Sequence, residues 1–238
     1  MSERAVILAG GQGSRLRPFT LVLPKPLMPI GQYPILEIIV RQLAKSGVSR
    51  ITIAVNHRAG LVQAFFGDGR AWGVDIDYSL EPGPLGTIGP LRLIPDLPER
   101  FLLMNGDVLT DLPYRDLFAH HASHGAPFTI AASRRTHTID YGVLEHDDAG
   151  RLTGFFEKPT RDYMVSMGVY VMERSLIGRV PASGPYGFDQ LMRDMLARGE
   201  RVGVYPYAGY WLDIGRPDDY ARAVEEFDPV KAGLVDRD

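Results

Sequence analysis

The stretch Ala5-Val6-Ile7-Leu8-Ala9-Gly10-Gly11-Gln12-Gly13-Ser14-Arg15-Leu16-Arg17-Pro18 decides how the rest of the chain is read. Its first four residues are apolar without alternation and run into glycines, the pattern of a parallel strand buried on both faces. Three glycines in four positions then let the backbone come close to a ligand with its N–H groups exposed, which suits phosphate. Two familiar phosphate loops do not fit. Leu16 stands where the dinucleotide fingerprint wants a third Gly or Ala, and no Gly-Lys-Ser/Thr follows as in a P-loop. By itself such a turn is a tight connection as often as an anion site, with Arg15 and Arg17 as surface charges.

Outward from this stretch the chain alternates. Apolar residues at 35, 36, 39, 40 and 43 have helical spacing, Gly47 is placed to close that helix after residue 46, and 51–55 reads as a strand. A helix near 59–66, a strand 74–80, a helix after Thr87 and a strand 101–104 continue the rhythm. The pattern predicts an α/β fold of Rossmann-like type, a mixed, mostly parallel central sheet with helices on both faces. After Asp107 the rhythm changes. A helix over 114–124 precedes strands 128–132, 141–145, 152–157 and 164–172 with little helix between them, so antiparallel or mixed pairing is expected there. A helix 188–198, strands near 202–205 and 210–212, and a helix 217–227 follow. No linker, repeat or low-complexity segment divides the 238 residues, so a single domain is expected.

Hydrophobic residues at 45% and charged residues at 23% are near globular averages, which removes disordered and coiled-coil readings. A net charge of −3 with no long run of either sign gives no broad grip on nucleic acid, so anionic ligands must be met locally. The absence of cysteine excludes disulfides, a thiol nucleophile and Cys-type zinc or iron–sulfur sites. No apolar run approaches the ~18 residues of a membrane span, and the apolar run at the N-terminus is too short for a signal peptide. A cytoplasmic enzyme with no nucleic-acid or membrane partner is expected.

The segment Pro24-Lys25-Pro26-Leu27-Met28-Pro29 strengthens the phosphate reading, because two prolines hold Lys25 on a stiff backbone and reduce the ordering cost of presenting its ammonium. Together, the glycine stretch from Leu8 to Pro18 and Pro24-Lys25-Pro26 resemble the signature of the sugar-phosphate nucleotidyltransferases, the nucleotide-sugar pyrophosphorylases. The resemblance runs from Ala5 to about Tyr220, with the motifs in the family's order. It implies that Leu8, Ala9, Gly10, Gly11, Gly13, Ser14 and Arg15 wrap a nucleoside triphosphate, with Arg15 on its phosphates and Lys25 on the phosphate being transferred.

Asn105-Gly106-Asp107 directly follows an apolar strand, which puts the carboxylate at the carboxyl end of a parallel sheet, where α/β proteins place ligands. A divalent cation that keeps waters and bridges phosphates needs a second carboxylate. The resemblance implies magnesium on Asp107 and on Asp213, the latter in Trp211-Leu212-Asp213-Ile214-Gly215-Arg216-Pro217, which matches Trp-x-Asp-x-Gly-x-Pro. Either Asp read alone could simply start a turn. The resemblance further implies that Asn105, Gly142 of Tyr141-Gly142-Val143, Glu157 and Lys158 of Glu157-Lys158-Pro159, and Gly168 hold the sugar phosphate. Ser166-Met167-Gly168 departs from the family's Asn-x-Gly at that point. Leu85-Gly86-Thr87-Ile88-Gly89-Pro90-Leu91 resembles the loop that passes the base in the guanylyltransferase-like branch, with Gly86 and Thr87 on the nucleotide. Glu81, just before it, accepts hydrogen bonds only and could pair with guanine N1–H and the amino group, or stand as a solvent-facing charge at a strand end.

The implied reaction joins a sugar 1-phosphate to a nucleoside triphosphate, giving nucleotide sugar and pyrophosphate. Guanylyl transfer to mannose 1-phosphate or a manno-heptose 1-phosphate leads, and uridylyl, cytidylyl or thymidylyl transfer follows. Residues up to about 110 are expected to serve the nucleotide and residues from about 111 the sugar phosphate, without the β-helix that longer family members add and with self-association left open. A non-catalytic nucleotide-sugar-binding homologue is the alternative of a different class, although both Asp107 and Asp213 are retained. His120, His121 and His124 read as a solvated helix end, and Phe65, Phe66, Trp72 and the tyrosines over 205–210 as core or rim aromatics.

Overall fold

A computed structural model describes residues 3–11, 13–56, 59–226 and 228, so expectations that fall on Gln12 and Phe227 lie outside the described residues. In chain order the elements are β1 (Glu3–Leu8), β2 (Pro29–Ile30), β3 (Tyr33–Pro34), α1 (Ile35–Lys45), β4 (Val48–Val55), α2 (Ala59–Phe66), β5 (Asp75–Leu80), β6 (Arg100–Asn105), β7 (Val108–Thr110), α3 (Tyr114–His124), β8 (Phe128–Thr138), β9 (Val143–His146), β10 (Leu152–Phe156), β11 (Thr160–Glu173), α4 (Phe188–Ala197), β12 (Gly203–Tyr207), β13 (Trp211–Asp213) and α5 (Pro217–Glu226).

Seven strands form the central sheet in the order β12-β8-β11-β6-β1-β4-β5. Strand β11 runs antiparallel to both neighbours, β8 and β6, while the other pairs are parallel. The expected mixed, mostly parallel sheet is therefore present. Its even burial explains the lack of alternation in β1. Ala5 and Ile7 join an apolar cluster with Ile35, Ile39, Tyr114 and Leu117 on one face, whereas Val6 joins Leu91, Leu176, Leu191 and Met195 on the other. Because both faces are covered, truncating Ile7 to Ala would leave a cavity and cost about 2–5 kcal/mol.

Helix α1 carries the 3.6-residue apolar spacing into burial: Ile35, Leu36, Ile38, Ile39, Val40 and Leu43 are all shielded, and Gly47 leaves the helix with φ +91°. The helix expected after Thr87 is only a 3-10 turn, Gly89–Leu93. Its backbone is tied elsewhere, since Ile88 and Gly89 N–H groups both donate to Tyr186 O, at 3.0 and 2.9 Å. The short pairs β2–β3 and β7–β13 were not foreseen, and β8 continues six residues past the expected end at 132.

The histidines also differ from expectation. His121 is 3% exposed, and its Nδ1 lies 2.7 Å from Thr129 Oγ1, which His124 Nε2 also approaches at 3.0 Å. Burial first, then the charges of His124, Arg100 and His120, push the His121 pKa down to about 4. The helix end is a hydrogen-bonded seam on the sheet, so the solvated reading is corrected. The aromatic residues pack as expected, with Phe66 1% exposed and Trp72, Tyr205, Tyr207 and Tyr210 against the core.

Candidate active site

The glycine loop leaves the sheet between β4 and β6, at the carboxyl ends of three parallel strands. Ala9 N–H donates to Ala54 O at 2.8 Å and Gly106 N–H to Leu8 O at 2.9 Å, which anchors both turns to the sheet. A Cβ at Gly106 would lie 3.1 Å from Leu8 O, so a larger residue in the Asn105–Asp107 turn would push it a few tenths of an ångström off the sheet. The loop then folds back on the Pro24-Lys25-Pro26 segment: Gly13 adopts φ +61°, and Thr20 Oγ1 donates to Gly13 O at 2.7 Å. Asn56, at the end of β4, donates its side-chain amide to Gly10 O.

Lys25 is 9% exposed and its ammonium donates to Asp107 Oδ2. Asp213 arrives from the far end of the chain through the β13–β7 ladder, in which Asp213 faces Val108 and Ile214 N–H donates to Asp107 O at 3.0 Å. The pairing brings Asp213 near enough to Asp107 for the charge of one carboxylate to act on the other. Although its carboxyl group remains reachable from solvent, Asp213 is held above the usual carboxylate range by desolvation first and by the Asp107 charge second, with Lys25 and Arg15 opposing. Arg15 completes the set, since a Cβ at Gly215 would lie 3.5 Å from Arg15 Nη2 and 3.6 Å from Asp213 Oδ1.

These groups fit a divalent cation. Asp107 Oδ1 is buried and accepts no hydrogen bond, and a second carboxylate adjoins it at a cost in repulsion that a cation would relieve. Among the described residues no cluster of three or more His, Cys, Asp or Glu is placed to hold a metal ion.

Two clefts meet at Leu8, Gly11 and Asp107. One, of about 270 Å3, is lined by Ala9, Gly13, Ser14, Arg15, Lys25 and Gly215. The other, of about 500 Å3, is lined by Gly10, Asn56, Glu81, Gly86, Thr87 and Asn105. Glu81 follows β5, and its N–H donates to Val55 O at 2.8 Å. Burial raises its pKa, while a hydrogen bond from the Leu85 N–H works the other way. Its carboxylate lies directly over the glycine loop: a Cβ at Gly10 would come within 2.5 Å of Glu81 Oε1. The loop carrying Gly86 and Thr87 is pinned from behind by Tyr186, whose N–H donates to Leu85 O at 2.8 Å.

Across the larger cleft, Asn105 and Gly168 meet at a bulge in β11 between Ser166 and Tyr170, and a Cβ at Gly168 would lie 2.7 Å from Asn105 Nδ2. Ser166, where the family pattern has Asn, closes the bulge by accepting from Gly168 N–H at 3.3 Å and donating to Tyr170 OH at 3.1 Å. Gly142 stands apart, with a would-be Cβ 2.7 Å from the Phe155 ring and 3.3 Å from Glu157 Oε2. Gly142, Glu157 and Lys158 line neither cleft, and Lys158 is exposed with φ +45°.

Sequence reasoning passed over three residues at the site. Asn56 ends an apolar strand just as Asn105 does, and that signal could have found it. Tyr170 is 3% exposed, and burial, then the charges of Asp213 and Asp107, push it up to about 12; its apolar strand gave no hint. Arg135 lies over Trp211, as described below, and one arginine in a strand carries no signal.

Clefts outside the carboxyl ends of the strands are where α/β proteins of this class bind their ligands. Comparison with known sequences narrows the class: residues 4–228 match the nucleotidyl transferase family, and the chain belongs to it. The mannose-1-phosphate guanyltransferases of Schizosaccharomyces pombe and Candida albicans are each 35% identical to it over 226 residues, which is 91% of this chain and 62% of theirs. The chain thus spans 62% of the length of these relatives. HddC from Yersinia pseudotuberculosis shares the fold with a TM-score of 0.74 at 25% identity, over 95% of this chain and 100% of that one. Among the described residues no helix is long and apolar enough to cross a membrane.

Proposed function

We propose that the chain transfers a guanylyl group from GTP to a sugar 1-phosphate, mannose 1-phosphate or D-glycero-D-manno-heptose 1-phosphate, giving GDP-sugar and pyrophosphate. Glu81 carries the reading. Its acceptor-only, half-buried carboxylate projects into the larger cleft beside the glycine loop, where guanine N1–H and the exocyclic amine would each find an oxygen. The names of the curated relatives support both the base and the sugar.

In this reading the N–H groups of the glycine loop and Arg15 bind the triphosphate, and Lys25 stands at the phosphate that moves. Asn105 and Gly168 bind the sugar, with Gly142, Glu157 and Lys158 closing on it from the β9–β10 ribbon. Asp107 and Asp213 would hold magnesium, which supplies charge neutralisation at the reacting phosphate. An oxygen of the sugar phosphate attacks the α-phosphorus in line, and the bond to the β-phosphate oxygen breaks as pyrophosphate leaves. With a second pKa near ~6, the attacking monoester is already a dianion at neutral pH, so no general base is needed. The residues assigned to the chemistry are accordingly cations and carboxylates. Nucleotide-half and sugar-half residues serve one catalytic unit, and the donor fits a cytoplasmic location, where nucleoside triphosphates are made and spent.

A panel of nucleoside triphosphates against sugar 1-phosphates, scored by pyrophosphate release, tests the reading. GTP with one of the two manno-configured phosphates should give the highest rate. A preference for UTP, CTP or dTTP would overturn the base, and sugar-nucleotide binding without pyrophosphate release from any pair would favour a non-catalytic homologue.

A further inference from the structure

We propose that Arg135 is a positioning residue: it holds Trp211 and, through it, sets Asp213 on one side and the Gly168 bulge on the other. The proposal rests on the assignment of Asp107 and Asp213 as a cation-binding pair. Strand β13 is three residues long and among the described residues pairs only with β7, so its ladder alone is a weak anchor for Asp213. Arg135, reaching across from β8, grips Trp211 twice. Its guanidinium carbon lies 4.5 Å from the centroid of the Trp211 ring, and its Nη2 donates to Trp211 O at 3.0 Å.

That geometry suits a flat guanidinium, which can stack and donate at once, and not an ammonium. The neighbouring Arg134 pairs with Asp162 at 3.5 Å, whereas Arg135 has no carboxylate partner among the described residues, so its charge is committed to the ring and the carbonyl. The far edge of the indole is fixed as well: Trp211 Nε1 donates to Met167 O at 2.9 Å. Met167 precedes Gly168, which lies against Asn105. One side chain therefore joins the strand that ends in Asp213 to the bulge that shapes the sugar side, and Arg135 keeps it in place.

Trp72 and Trp211 are the two tryptophans of the sequence, and Trp72 packs elsewhere, 5.1 Å from the Phe66 ring. A Trp72→Phe background leaves Trp211 as the only emitter, and Mn2+ quenches a nearby indole. In that background Arg135→Leu should raise the Mn2+ concentration for half-maximal quenching about tenfold, as loss of an outer partner of a metal ligand does, and Arg135→Lys by less. The KM for mannose 1-phosphate should rise with it at saturating Mn2+, while the KM for GTP stays within about twofold, because the bonds described for Arg135 and Trp211 run between β8, β13 and Met167 and not to the glycine loop or Glu81. Unchanged Mn2+ titration and KM values in Arg135→Leu, at an unchanged melting temperature, would overturn the proposal. If that variant does not fold, a Lys variant identical to its parent in quenching and KM overturns it equally. A Trp72→Phe parent that turns over without any Mn2+ response removes the carboxylate-pair assignment, and the proposal falls with it.

Discussion

Beside the glycine loop Lys25 is 9% exposed, paired to Asp107 and braced by prolines, whereas at the β9–β10 ribbon and just before it Phe155 is 58% and Tyr141 78% exposed, and Lys158 has no ion-pair partner among the described residues. The first region is held by the core of the sheet. Asp107 follows β6 directly, and the glycine loop is bonded to β4 and folded onto Thr20. The second is a two-stranded ribbon whose strands, among the described residues, pair only with each other, an arrangement marginal without support. Under the proposed function the contrast teaches where ordering costs fall: a triphosphate would meet groups already in place, while a sugar phosphate would have to order the side chains that hold it.

The largest effect should come from the pre-built side. Asp107→Asn and Asp213→Asn keep shape and remove charge, so kcat should drop about a thousandfold in each, with the melting temperature little changed. Pyrophosphate release at saturating magnesium checks this, and wild-type turnover in either variant would remove that carboxylate from the chemistry.

Next come the base contacts. Gly10→Ala would drive a methyl group into Glu81, and Glu81→Gln offers a donor where guanine needs an acceptor. Both should erode a GTP-over-UTP preference of about tenfold to a hundredfold, the value of one unmatched buried polar group. Direct competition between the two nucleotides reads it, and a preference untouched by Glu81→Gln would return Glu81 to the status of a strand-end charge.

The two lysines set the regions against each other. Lys25→Ala should chiefly lower kcat, and Lys158→Ala should chiefly raise the KM for sugar phosphate, by roughly tenfold, since a phosphate contact made equally in the ground and transition states shows only in binding. Initial rates across a sugar-phosphate series separate them, and the reverse pattern would exchange their roles.

The smallest effect concerns stability at the seam between α3 and the start of β8. The folded pKa of His121, about 4, lies below the ordinary 6.5, so the unfolded chain binds the extra proton between these values, and stability falls as pH drops through that window. His124, also lowered, adds in the same direction. Melting temperatures should decline from pH 7 to pH 5, more shallowly in His121→Gln; equal slopes would show that the seam titrates with unfolding elsewhere.

Helices α1, α2 and α3 were legible because an apolar stripe at 3.6-residue spacing needs no knowledge of its partner. Strands β2, β3 and β7 were not, because two or three residues become a strand only when a tertiary neighbour pairs with them. At the site, the glycine loop, Lys25 and the two aspartates could be read from motif order, and the structure does bring them together. The glycines show the limit. Gly86, Gly142 and Gly168 were assigned to ligands, yet each leaves room for a protein neighbour: the Tyr186 carbonyl, the Phe155 ring and the Asn105 amide. A glycine in the sequence announces a close approach without naming what approaches. Arg135 was invisible for the opposite reason, since its meaning lies wholly in Trp211, a residue of another strand.

The three-residue ladder between β7 and β13 also bears on how such a chain can change over generations. Side chains alternate along a strand, so a single insertion or deletion inside Trp211–Asp213 would turn the Asp213 carboxylate to the opposite face, away from Asp107. The long excursion between the two ladder strands carries no such register requirement at its loops. Segments there, such as the turn at Gly150 between β9 and β10, are free to lengthen, shorten or diverge, and lineages can remodel what they bind while the paired carboxylates stay in step.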